Sequence, residues 1–236
     1  MTKIFTIALK ELCAYFKSPI AYIILVITVS VFNIFFYMII DQNREATLRD
    51  VFQVMEFMFI FLVPLFTMRV FAEEKSTGTM EFLMTTPTSN TAIVLGKYLG
   101  GLVFFSLILS TTFIYYLIIE CFGHPDRVAT ATGILGLWLE GGFFVAVGIL
   151  ASSWTRSQVV AAITAYAILF LIYFSVSFVQ YVGASGAEFL KYFSTLTHTA
   201  DFSVGLVTPA DFVYYLSGIF FCLFLTRISV ENRLWR

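Results

Sequence analysis

Six long apolar runs divide this chain: Pro19–Ile40, Val51–Met68, Ile93–Ile119, Val128–Ser152, Val159–Tyr181 and Pro209–Thr226. A helix crossing the hydrocarbon core needs about 20 apolar residues, within roughly 17–25 and longer when tilted. Lipid offers no partner for backbone N–H and C=O groups, so each run must satisfy its own. Barrel strands are about ten residues long and alternate, which these continuous runs do not. The expectation is an all-α integral membrane protein with six transmembrane helices. The second run is the least apolar, with Gln53 and Glu56 near one end and Pro64 inside. Pro64 lacks a backbone donor and is expected to kink that helix.

Composition agrees with this reading. Hydrophobic residues make up 59% of the chain against about 45–50% in soluble domains, and mean hydropathy is +0.89. The net charge of −1 gives no basic patch for nucleic acid. Cys13, Cys121 and Cys222 lie far apart without metal-ligand spacing. They read as small apolar fillers, and an odd count argues against a disulfide framework.

Lysine and arginine set the expected orientation. With the N-terminus inside, Lys3, Lys10, Lys17, Arg69, Lys75, Lys97, Arg156, Arg227, Arg233 and Arg236 fall on the cytoplasmic side. Only Arg44, Arg49, Arg127 and Lys191 fall outside. The positive-inside rule therefore expects both termini in the cytoplasm. The first run lacks a small-residue cleavage site and reads as a retained anchor. Ahead of it, Thr2–Lys17 carries Phe5, Ala8, Leu9, Leu12, Cys13 and Phe16 as one stripe at helical spacing. Lys3, Lys10 and Lys17 recur on the opposite face. This is the pattern of a helix lying among lipid headgroups, its lysines toward water and anionic lipid.

Between the second and third runs lies Arg69–Lys97, too polar to stay in lipid. Its centre, Gly78–Thr86, reads as a short helix stopped by Pro87, with Met80, Leu83 and Met84 on one face. Gly78 permits a tight turn, Thr77 or Gly78 can cap the helix, and Glu81 suits its positive end. An apolar knob with a charged collar fits a groove on a soluble partner. The plainer alternative is a loop that needs charge only to stay out of lipid.

The whole pattern resembles the permease subunits of ABC-2 type transporters. Their coupling helix carries E-K-x-x-G-T-x-E-x-L-x-x-x-P, matched here by Glu74, Lys75, Gly78, Thr79, Glu81, Leu83 and Pro87. The flanking VPLFTMR and IVLGKYLG also look like the family. KELCAYFKSPIAYIIL and HTADFSVGLVTPADFVYYL are similar to the gliding-motility-associated permeases. The resemblance implies one permease domain over 1–236, with an interfacial helix at 2–17, a coupling segment at 69–92 and an external segment at 183–208. It implies a multi-pass protein of the bacterial inner membrane that moves a substrate using ATP held by a separate ABC ATPase subunit. A second permease subunit, identical or related, would complete the pathway. Met80 and Met84 join the implied ATPase contact.

No phosphate-cradling G-x-x-x-x-G-K-[ST] occurs: Tyr98 follows Gly96-Lys97, and Thr91 stands at the first glycine position. Neither a cofactor site nor a metal-ligand cluster is expected in this chain, and His124 and His198 are isolated. Gly183-Ala184-Ser185-Gly186 matches the G-x-S-G of rhomboid-like intramembrane serine proteases, with His198 as the imagined base. That stretch is too polar to span, and a small-residue turn explains it more simply. A non-transporting anchor for an ATPase assembly is the other alternative. Glu140 sits mid-run before Gly141 and Gly142. It should line a pathway or interface, make a structural hydrogen bond, or mark a helix break at the glycines. Glu56 is expected to reach the membrane interface. The pairs Gly96/Gly100 and Gly142/Ala146 permit close helix approach. Phe189, Tyr192, Phe193 and Phe202 suit short external helices against the outer leaflet.

Overall fold

A computed structural model describes residues 2–43, 47–80 and 88–231. Among these residues every regular element is a helix. Six are long and apolar enough to cross a membrane: Pro19–Asn43, Arg49–Ser76, Asn90–Phe122, Arg127–Trp154, Gln158–Tyr181 and Pro209–Glu231. Each contains an apolar run seen in the sequence, extended by polar residues at its ends.

The elements in chain order are α1 (Thr2–Lys17), α2 (Pro19–Asn43), α3 (Arg49–Thr67) and α4 (Arg69–Ser76), then α5 (Asn90–Ser110), α6 (Thr112–Phe122) and α7 (Arg127–Trp154). α8 (Gln158–Tyr173) continues as a 3-10 turn over Phe174–Tyr181. α9 (Ala184–Phe193), α10 (Thr195–Ser203) and α11 (Pro209–Glu231) complete the described chain. Helix α3 runs through Pro64 and is interrupted at Met68, whose N–H donates to Pro64 O at 2.9 Å.

Three helix starts carry side-chain caps. Asp126 Oδ1 accepts from the Val128 and Ala129 N–H groups at 2.9 and 3.2 Å, opening α7. Ser89 and Ser157 cap α5 and α8 in the same way. Each cap satisfies donors that a helix cannot satisfy itself.

α7 is the central staff. In its most apolar window 83% of residues are buried, against 22% in α2 and α11, which lie at the periphery. α7 packs on α3, α5, α8, α10 and α11. Gly136 makes room for α10, since a Cβ there would meet Phe202 Cβ at 2.6 Å. Polar tips bond between helices where water is absent. Tyr115 Oη donates to Asn33 Oδ1 at 2.8 Å, Trp138 Nε1 to Ser106 Oγ at 2.9 Å, and Tyr166 Oη to Phe61 O at 3.0 Å. Such bonds hold bundles together where apolar packing gives little preference over lipid.

α1 has two faces. Ile7 and Tyr15 are buried against α5, and Tyr15 stacks on Phe104 at 4.8 Å. Burial, then the negative charge of Glu11, pushes the Tyr15 hydroxyl up, so it stays protonated and donates to Phe66 O. Gly96 and Gly100 allow this approach: a Cβ on them would meet Ile7 at 2.7 Å and Glu11 at 2.8 Å. On the other face Phe5 and Leu9 are 62% and 61% exposed. Much of the apolar stripe read from the sequence is therefore left uncovered, while Ala8 and Leu12 are partly buried.

Candidate functional site

The charged segment after span two is anchored by its own motif residues. Lys97, on α5, is only 1% exposed. Its Nζ lies 2.9 Å from Glu11 Oε1 of α1 and 2.9 Å from Glu74 Oε1 of α4, and it donates to Val70 O at 2.8 Å. It also sits 5.0 Å from the centre of the Phe71 ring. Lys10 approaches Glu74 at 3.7 Å. Three helices thus meet on one buried ammonium flanked by two largely buried carboxylates, with Lys10 as a further cation beside Glu74.

A second anchor lies at the end of α7. Ser152 Oγ accepts from the Phe71 and Ala72 N–H groups at 3.0 Å each and donates to Met68 O at 2.7 Å. It bridges the interruption between α3 and α4 and occupies donors of the first turn of α4. Lys75 is buried and donates through Nζ to Ser153 O. Ser229 Oγ of α11 donates to the same carbonyl at 3.1 Å.

Beyond α4 the chain turns. Thr77 N–H and Oγ1 both bond Glu73 O, and Gly78 adopts φ +73°. That left-handed residue closes the helix in the manner of a glycine C-terminal cap. Thr79 Oγ1 meets Thr77 Oγ1 at 2.9 Å, and Thr79 and Met80 are helical again. Met80 is buried in the core, not displayed on an outer face. Glu81, Leu83, Met84 and Pro87 lie outside the described residues.

Of the expected contact residues, then, Glu74 and Lys75 turn inward as ties, while Gly78 and Thr79 form an exposed turn. Sequence spacing misses Glu11, Lys97, Ser152 and Ser153 as the other halves of those ties. Lys97 reads from sequence as a boundary charge, and its partner Glu11 is 86 residues away.

A second polar cluster lies inside the bundle. Glu140 is 0% exposed on α7, and Glu56 is 3% exposed on α3. Their carboxyls lie within reach of each other, with Thr195 and Thr199 of α10 beside them. Both oxygens of Glu140 and one of Glu56 lack a hydrogen bond of ordinary geometry among the described residues. The expectation for Glu56 is corrected: α3 packs this side against α7, so the carboxyl points into protein and not to the interface. Nor does the glycine pair break α7, which is continuous from Arg127 to Trp154. Gly141 instead leaves space that Phe105 fills.

α10 carries His198 near this cluster. His198 Nδ1 lies 2.6 Å from Asp211 Oδ1, and Nε2 lies 3.0 Å from Tyr192 O. Thr199 Oγ1 meets Tyr215 Oη at 2.7 Å. With both ring nitrogens engaged, His198 has none left to serve a serine as base, and the protease reading loses its geometry. Among the described residues no three His, Cys, Asp or Glu side chains converge as a metal site.

The model for the ABC-2 family transporter protein matches residues 5–217. No curated protein matches the chain. The family match runs from the first turn of α1 into α11 and takes in both anchors, the Gly78 turn and the buried carboxyls. The chain belongs to the ABC-2 transporter family, as a membrane-spanning permease component of an ABC transporter.

Proposed function

We propose that this permease is driven by a separate ABC ATPase that docks on the Gly78–Thr86 segment from the cytoplasm. The observation that carries the proposal is the anchoring of α4. Lys97 ties it to α1 and α5, and Ser152 and Ser153 tie it to α7. A push on the turn at Gly78 is passed to several spans at once instead of being absorbed by a loose loop. ATP-driven closure of the ATPases would bias the spans between two arrangements. Two permease chains over two ATPases form the pathway in this reading, and the α1 end of the bundle and both termini face the cytoplasm of a bacterial inner membrane. The likeness of the chain's two end segments to gliding-motility-associated permeases supports placing it near that subgroup.

Copurification tests the docking. Leu83→Asp places an unpaired charge in the apolar contact and should weaken the complex by about 1–3 kcal/mol or more. Glu81→Lys should weaken it less, as a rim charge. Single cysteines at Ser76 and Ser185 in a cysteine-free background test the orientation. Ser76 should react with an impermeant reagent only after the membrane is opened. Unchanged copurification with Leu83→Asp, or labelling of Ser76 in intact cells, defeats the proposal.

A further inference from the structure

A cavity of about 440 Å³ opens at the α1 end of the bundle, between α1 and α4. That is within the range of small-molecule sites, roughly 300–1,000 Å³. Its charged and hydroxyl lining comes from Lys10, Glu11, Lys17, Ser18, Arg69, Glu73 and Glu74. The carboxylates of Glu11 and Glu74 are engaged by Lys97. Lys17 and Arg69 have no carboxylate within ion-pair distance among the described residues. Arg69 Nη1 donates to Ser18 Oγ at 2.8 Å, and its Nε is buried without a partner. Glu73 is the lining carboxylate without an ion pair, and it is exposed. Once the internal pairs are set aside, the cavity presents two cations, Lys17 and Arg69, against one exposed carboxylate, Glu73, and the unpartnered donor is the Nε of Arg69 itself.

The position of this cavity is specific. Ser18 immediately precedes α2, and Arg69 opens α4 just past the Met68 interruption that ends α3, so the polar socket sits beside the ends of two neighbouring helices. On the same α2–α3 seam, further along the two helices, lies an open apolar groove of about 140 Å³ whose lining includes Ile24, Thr28, Phe32, Met58, Leu62 and Leu65. Leu65 lies one helical turn from Arg69, about 6 Å along the axis. Ile20 and Ile23, at the start of α2, are exposed beside it. A cationic socket at headgroup level over an apolar groove at acyl-chain level has the polarity of an amphiphile.

We propose that this seam binds a glycerophospholipid of the leaflet at the α1 end, with Arg69 and Lys17 on its phosphate and one acyl chain in the α2–α3 groove. A guanidinium matches phosphate oxygens through paired N–H donors, and its unpartnered Nε supplies one. An anionic headgroup suits the surplus of positive charge. The bound lipid would touch the first residue of α4 and the last turn of α1, the two elements that Lys97 joins. The site stands on membrane insertion alone and does not depend on an ATPase partner.

Native mass spectrometry of the purified full chain tests this, with phosphatidylglycerol, phosphatidylcholine or inorganic phosphate added as probes. The expected result is preferential retention of phosphatidylglycerol. Lys17→Gln combined with Arg69→Gln should lower that retention about tenfold. Leu65→Trp, which fills the groove, should lower lipid retention with the cations intact, and Lys191→Gln should have no effect. Lys17→Gln alters an exposed residue and keeps the test valid if Arg69→Gln fails to fold. Unchanged lipid retention in both the cation variants and Leu65→Trp overturns the proposal. Retention of inorganic phosphate as strong as that of lipid, and insensitive to Leu65→Trp, shows a phosphate site and overturns the lipid. Loss of ATPase copurification in Lys17→Gln with lipid retention intact assigns the socket to a protein partner and also overturns it.

Discussion

Lys97 is a cation taken almost wholly out of water, and Glu11, Glu74 and the Val70 carbonyl make that tolerable. Removing it leaves two largely buried carboxylates side by side with no shared counter-charge. Lys97→Ala should therefore destabilise the protein by about 3 kcal/mol, the low end for buried pairs because both carboxylates keep some solvent. A lowered thermal midpoint in detergent checks this, and an unchanged midpoint would mean that the tie carries no stability. Glu56 and Glu140 are the opposite case, two like groups brought together in the bundle. Gln keeps the shape of either side chain, so each single Glu→Gln variant should assemble. Because the groups interact, a double-mutant cycle of Glu56→Gln and Glu140→Gln should show at least about 0.5 kcal/mol of coupling. Strict additivity would show that the carboxyls do not meet. Neither pairing is legible in the sequence. Glu140 stands out as a mid-run charge, but Glu56 lies near the end of its run, where the interface is the simpler destination. Only the packing of α3 on α7 turns it inward.

At the scale of elements, the spans and α1 are legible because lipid imposes a continuous run and an interface imposes a two-sided helix. The spans reach a few residues past the apolar runs, since polar residues such as Asp126 and Ser157 cap their ends. For α1 the helix is legible from its stripe, and Phe5, Leu9 and Phe16 of that stripe are exposed. What the periodicity hides is the buried face, with Ile7 and Glu11 matched to Gly96 and Gly100. The α4 segment is harder still. Its charges look like a solvated loop, yet Lys75 and Glu74 are ties, and the Ser152 bridge gives no local signal. The turn after it is legible at Gly78, where φ is +73° and a Cβ would meet nothing within 4 Å. Any penalty for a substitution there is one of backbone conformation, about 1–2 kcal/mol for a side chain forced into the left-handed region. Gly78→Val should leave the spans folded and re-aim the segment beyond it. The expected outcome is a near-parental thermal midpoint with reduced ATPase copurification. Loss of folding would place the constraint in the core instead.

For the whole molecule, the arrangement is a bundle around α7 with polar ties at one end and a buried polar cluster toward the other. The ties make α1, α4, α5 and the end of α7 one mechanical unit, with the exposed turn at Gly78 as its handle. The carboxyl cluster lies on the same central helix, under α10. In the proposed reading, a movement of the handle would be carried along α7 toward Glu140. The proposal that a separate ATPase supplies this movement is tested most directly by ATP turnover. The purified chain alone should hydrolyse no ATP. Adding its ABC ATPase should give a rate different from that of the ATPase alone, and Leu83→Asp should return the rate to the ATPase-alone value. Hydrolysis by the chain alone, or a parental rate with Leu83→Asp, would contradict the account.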